Sequence, residues 1–264
     1  MQQPITSLSL GINPLSQEEV DYSTIWETNE AAQLESKSET DSWRRRRRLS
    51  KRTIPPVAPT FPLGKLEEDS SPSLDEVILL RGSTRKFARK PVSFDHLSTI
   101  IQASATKIPA DFLPENETLI DFYFIDNEVQ GLPPGSYFYN VDTNSVEQLK
   151  VLRNRSMSGY LCLGQQLFSD ASVVFFLMTE LNPVLKSLGN RGYRAAQFEA
   201  GIRAGKIYLS AYAVGLGASG STFFDDAVTE FFSPHAGDKS TMIAVGIGEP
   251  AYKARPGRIL PQIK

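Results

Sequence analysis

The sequence predicts an α+β (mixed α/β) domain with helices packed on a central sheet, and three observations carry that expectation. Ala171-Ser-Val-Val-Phe-Phe-Leu-Met178 has the length and β-branched, aromatic content of a buried strand. A second such run, residues 242–247, follows a long helical pattern over residues 195–214. The chain has 264 residues, 41% of them hydrophobic, which is enough for one large core and crowded for two equal domains.

The elements follow in order. Residues 1–72 read as a polar extension and linker, with arginines at every position from 44 to 48 and four prolines between 55 and 62 that cannot continue a helix or a central strand. The folded domain is placed at 73–264. Ser73 suits a helix cap, with Asp75 and Glu76 in the first turn where the helix dipole favours them. Residues 94–105 read as an amphipathic helix because Leu97, Ile100 and Ile101 share one face. A strand over 121–125, the turn Gly131-Leu-Pro-Pro-Gly135 and a short strand ending in Tyr137-Phe-Tyr139 come next. Residues 146–152 and 159–167 read as helices, 173–178 as a central strand and 195–214 as a long helix. On that helix Phe198, Ile202, Leu209 and Tyr212 form the expected apolar face, and Ala200, Gly201, Ala204 and Gly205 the surface for a second helix.

Composition excludes several classes. A net charge of -2 gives no global pull toward nucleic acid, and the arginine run lacks the interleaved aromatics or folded reader of a specific nucleic-acid site. The single cysteine, Cys162, lies in an apolar run and reads as a buried thiol, so neither an intrachain disulfide nor a cysteine-rich metal site is expected. No apolar stretch reaches membrane-spanning length and the first residues lack a secretion signal, so a cytoplasmic location is expected.

Three segments hold candidate chemistry. Arg81-Gly-Ser-Thr-Arg-Lys-Phe87 sets two guanidiniums around a hydroxyl, which suits either a phosphate or a solvated basic turn. Gly215-Leu-Gly-Ala-Ser-Gly-Ser-Thr222 permits close backbone approach to a flat ligand, or equally forms a helix cap and turn. It does not follow a strand, so it is not a dinucleotide-binding fingerprint of the Rossmann kind. Tyr252-Lys-Ala-Arg-Pro-Gly-Arg258 is a second basic cluster, open to reading as a solvated tail.

Together these segments resemble the nitroreductase superfamily over residues 80–258. The resemblance implies a mostly antiparallel sheet flanked by helices and a noncovalent FMN. It places Arg81, Ser83, Lys253, Arg255 and Arg258 at the phosphate, Arg85 near the ribityl chain and pyrimidine edge, and Gly217, Gly220, Ser221 and Thr222 along the flavin edge. Within the superfamily, Gly189-Asn-Arg-Gly-Tyr-Arg-Ala-Ala-Gln-Phe-Glu-Ala-Gly201 and Phe224-Asp-Asp226 are similar to the SagB-type thiazoline/oxazoline dehydrogenases. Ala110-Asp-Phe112, Gly131 to Gly135 and Phe232-Ser-Pro-His235 resemble the second half of tandem proteins that carry two such domains. The azoline dehydrogenases carry a Lys-Tyr pair shortly before the Arg-x-Tyr-Arg segment; this chain has Lys186-Ser-Leu-Gly there, shifted and without the tyrosine, and Lys186 and Tyr193 stand as the catalytic candidates. Arg194 and Glu199 are read as either catalytic or a structural ion pair, and His235 as a loop residue.

The resemblance implies hydride transfer between flavin N5 and an organic substrate, either a peptide azoline or a nitro- or quinone-type acceptor. The partner is expected to be a second copy or a homologous domain that shares the flavin site. A catalytically degenerate partner subunit is the alternative.

Overall fold

The computed structural model describes residues 16–45, 56, 58–64, 72–113, 117–152 and 154–252, and every structural statement below is made of these. The sheet has seven strands, and each run of alternating side chains serves two hydrophobic layers at once. Its strands are β1 (Thr60–Pro62), β3 (Asp121–Asp126), β5 (Gly135–Asn140), β6 (Ser145–Val151), β7 (Val173–Thr179), β8 (Gly217–Ser221) and β9 (Ser240–Gly248). The spatial order is β1-β6-β5-β3-β7-β9-β8, and every neighbouring pair is antiparallel. Two short strands, β2 (Val92–Ser93) and β4 (Val129–Gln130), pair in parallel beside it. The α+β expectation holds.

The central strand β7 is buried at every position, as its unbroken apolar run requires. On one face Phe122, Phe124, Phe175 and Ile247 pack under α4 (Phe94–Ala105) and α8 (Arg191–Ala213). The opposite face, with Tyr123, Phe176, Met178 and Ala244, lies under α5 (Arg155–Leu161), α6 (Gln166–Asp170) and α9 (Asp225–Phe232). Phe124 stacks on Tyr137 with ring centroids 5.1 Å apart, a cross-strand contact of the kind that fixes register. The helix α3 (Leu74–Leu80) starts with a reciprocal capping box between Ser73 and Glu76. No helix is long and apolar enough to cross a membrane.

Of residues 146–152, expected as a helix, all but Leu152 lie in strand β6. Their apolar spacing at 146, 149 and 152 imitates a helical stripe, but Asn140 Oδ1 accepts the amides of Asp142 and Thr143 at 3.0 and 3.3 Å. Asn144 follows with φ 47°, and this Asx turn sends the chain straight back along β5. The helix expected over 159–167 is broken into α5 and α6, because Leu163 and Gly164 both take positive φ, 59° and 70°.

The long helix is present, but its faces differ from expectation. Ala196, Ala200, Ala204, Ile207 and Ala211 point into the core, whereas Phe198 is 58% exposed. Gly201 and Gly205 face outward, and a Cβ at either would meet nothing within 4 Å. The small residues therefore split between two faces of the helix.

Ahead of Ser73 the chain is more structured than a linker. Helices α1 (Ser23–Ala31) and α2 (Lys37–Arg44) lie near the start of α8, and β1 joins the sheet edge. Trp43 is buried, donates its indole N–H to the Leu188 carbonyl at 2.8 Å, and packs with Ile108, Phe112, Val184 of α7 (Leu181–Leu188) and Ala195.

Candidate active site

The two sharpest sequence segments meet at the far end of α8. Leu216 donates back to the Ala211 carbonyl, Gly215 takes φ 77°, and the chain then enters β8. The glycine-rich segment is thus an edge strand, not the loop its composition suggests, because residues 217–221 pair with 244–248 of β9.

The segment after α3 docks on the free edge of that strand. Thr84 N–H donates to Ala218 O at 2.8 Å, the hydroxyls of Ser83 and Ser219 lie 3.3 Å apart, and those of Thr84 and Tyr212 lie 3.2 Å apart. Gly217 makes this approach feasible: a Cβ there would meet Thr84 Oγ1 at 2.1 Å. The third segment arrives beside it, with Ala251 N–H donating to Lys86 O at 2.9 Å and Arg85 N–H to the Tyr252 hydroxyl at 3.0 Å. Lys253, Arg255 and Arg258, which would follow, lie outside the described residues.

Arg81, Ser83 and Arg85 are all exposed on this rim. Among the described residues neither guanidinium forms an ion pair; Arg81 lies 5.9 Å over the Tyr208 ring. Two such guanidiniums flanking a hydroxyl in sequence are a donor set that fits a phosphate monoester such as the terminal phosphate of FMN. Gly220 gives its amide to the Tyr208 hydroxyl, Ser221 Oγ accepts from Gln165 Nε2 at 2.8 Å, and Thr222 is exposed. Sequence reasoning misses Tyr208, Ser219 and Tyr252 as site residues. Tyr208 and Tyr212 stand i,i+4 in the last turns of α8, a spacing that could have placed both against the following strand.

Tyr193 and Lys186 lie elsewhere. Tyr193 is 39% exposed and accepts a hydrogen bond from Gln197 at 3.0 Å, near the start of α8. Tyr208 follows it by fifteen residues, so along the helix axis the two ends of this pair stand about 22 Å apart. Lys186 is exposed on α7, which packs beside that same start. One chain does not bring these candidates to Ser83.

Arg194 and Glu199 are not partners. Glu199 pairs with Arg203 at 2.7 Å, both buried, and also accepts from Leu119 N–H and the Thr118 hydroxyl. Arg194 donates to the Asn29 carbonyl at 2.7 Å and so ties α1 to α8. His235 Nδ1 lies 2.8 Å from the Tyr123 hydroxyl, and burial, the largest cause, lowers its pKa. Burial pushes the Cys162 thiol up to about 12, which keeps it protonated and unreactive.

The profile of the nitroreductase family matches residues 78–248, more than half of the chain, from within α3 to the end of β9. The chain belongs to the nitroreductase family. A protein of Methanocaldococcus jannaschii described as a nitroreductase is 24% identical over 163 residues, covering 60% of this chain and 82% of its own. A structure from Anabaena variabilis, also described as a nitroreductase, superposes with a TM-score of 0.64 at 25% identity over 74% of this chain. The match spans only 42% of the Anabaena chain. The E. coli microcin synthetase complex, solved with a truncated microcin precursor bound, shares the fold at a TM-score of 0.54 and 14% identity, over 84% of this chain and 86% of that one. As a nitroreductase-family member, the chain is an oxidoreductase by family.

Proposed function

We propose that this nitroreductase-family chain is an FMN-dependent oxidoreductase whose phosphate receptor is Arg81, Ser83 and Arg85 on the edge of β8. The observation that carries the reading is that Arg81, Ser83 and Arg85 are exposed, with no ion pair to either arginine among the described residues, on a segment held to β8 by the Thr84–Ala218 hydrogen bond and the close approach at Gly217. When bound, the flavin supplies hydride exchange at N5 with an organic substrate. The protein's share is positional: Arg81 and Ser83 hold the phosphate, with Lys253, Arg255 and Arg258 as further cations, and Arg85 lies nearest Tyr252 for the ribityl side. Ser219 presents its hydroxyl to Ser83, and Gly217, Gly220, Ser221 and Thr222 are the residues that would hold the ring.

The site is completed by a second protomer or a homologous domain. Tyr193 stands about 22 Å along α8 from Tyr208 and Lys186 lies beside the start of that helix, so in this reading they serve a flavin across a two-fold axis. Azoline dehydrogenation of a peptide is favoured over nitro or quinone reduction by the Arg191-Gly-Tyr193-Arg194 segment and by the peptide bound to the microcin synthetase. The longer Anabaena chain supports a tandem or split arrangement.

Purification with an absorbance scan, then heat release of the chromophore and chromatography, tests the cofactor: FMN is expected, and FAD or no flavin overturns the proposal. Arg81→Ala should weaken FMN binding by about 1.5–3 kcal/mol, the range for hydrogen bonds to charged groups; an unchanged titration removes Arg81 from the receptor.

A further inference from the structure

A separate cleft of about 490 Å³ opens between α2 and the start of α8, remote from Ser83. That volume suits a small ligand. Three rings line it in a ladder: Trp43 and Phe112 have centroids 6.5 Å apart, and Phe112 and Phe198 6.0 Å apart in an edge-to-face contact. Phe198 leaves 58% of its surface to solvent.

The charges of the lining are unbalanced. Asp111 is its carboxylate, and it pairs with Arg44 at 2.8 Å. Arg191 and Arg194 add two further guanidiniums. Arg191 gives Nη1 to the Ala32 carbonyl at 3.0 Å and lies 5.5 Å over the Trp43 ring. Arg194 gives Nη2 to Asn29. Each therefore keeps donors beyond the backbone carbonyl that positions it, and a guanidinium edge binds a carboxylate through paired N–H groups.

We infer that this cleft binds a small free aromatic carboxylate of one or two rings, with its ring against Trp43, Phe112 and Phe198 and its carboxylate on Arg191 and Arg194. The rings supply flat apolar surface and the arginines a net positive lining, a combination that an uncharged aromatic or an aliphatic acid satisfies only in part. The inference does not depend on flavin.

Isothermal titration of the full chain with 2-naphthoate, and in parallel with uncharged 2-naphthamide, tests it. Saturable binding of one naphthoate per chain is expected, with naphthamide weaker by about tenfold or more. Arg194→Gln should weaken naphthoate to a similar degree. Because Arg194 also holds α1, Phe198→Ala is the second variant: its exposed ring can be removed without opening the core, and a loss of naphthoate affinity is expected. No saturable heat with naphthoate, equal binding of the amide, or unchanged affinity in Phe198→Ala would overturn the site. A colourless protein that still binds naphthoate would sink the flavin reading and leave this one standing.

Discussion

Asp126 ends strand β3 with 2% of its surface exposed, its Oδ1 accepting the Val129 amide at 2.7 Å and its Oδ2 without a hydrogen-bond partner among the described residues. Burial is the largest influence on its carboxyl and raises the pKa from the ordinary 3.8 to about 8, against smaller opposing pulls from the Val129 amide and Arg155. Because the folded value lies above the unfolded one, its favourable contribution is fully present below 3.8 and is lost as pH rises through about 8. Asp126→Asn keeps the acceptor for Val129 and cannot ionise. Its melting temperature should therefore gain on that of the wild type between pH 6 and pH 9, and parallel curves would show that Asp126 is already ionised at pH 6. Gly217 and Thr84 illustrate a different use of a single residue: a missing Cβ makes room for the Thr84–Ala218 hydrogen bond that joins two chain segments at the proposed phosphate receptor.

The outward glycines of α8 make a test at the scale of the helix. In the isolated chain nothing lies within 4 Å of a Cβ at Gly205, so a larger residue there should raise helix stability by roughly 0.5–1 kcal/mol. At a two-fold contact the same change overpacks. Gly205→Leu is therefore expected to keep or raise the melting temperature of the dilute chain while weakening self-association, as read by sedimentation; tight association in the variant would place the interface elsewhere. The helix itself is legible from residues 195–214, as are β7 and β9 from their apolar runs and α4 because apolar period and the Ser93 cap agree there. Its inner face is not legible. Helical spacing selects Phe198, which stays exposed, and Tyr212, which is only partly buried against the core, whereas the structure buries small alanines close against the sheet and spends the space on the Glu199–Arg203 pair. Strand β6 escapes a sequence reading for a related reason, since a hairpin is decided by its turn at Asn140–Asn144 and not by the strand's own apolar spacing. At the candidate site the arginines and glycines are visible in sequence, but the tyrosines that lock them are not, because their partners lie up to 167 residues away.

At the scale of the molecule, the amino-terminal stretch is fastened at two distant places. Trp43 and Arg44 hold α2 against residues 188 and 111, while β1 extends the sheet at the edge opposite β8. Trypsin should cut first between residues 44 and 52, where seven basic side chains stand in nine positions. After the cut, the α1–α2 fragment should coelute with the domain at micromolar concentration and part from it in the Trp43→Ala variant; immediate release from the wild type would mean that the buried indole contributes little. The uncut chain makes docking of α2 an intramolecular event with an effective concentration on the order of a millimolar. Against a dissociation constant of about a micromolar for the severed fragment, the tethered contact would be open only ~0.1% of the time. Scission erases that advantage and makes occupancy depend on how dilute the protein is. Since Trp43 and Arg44 form one side of the aromatic cleft's wall, a protease acting in the arginine run would turn a permanent receptor into one that dissolves on dilution.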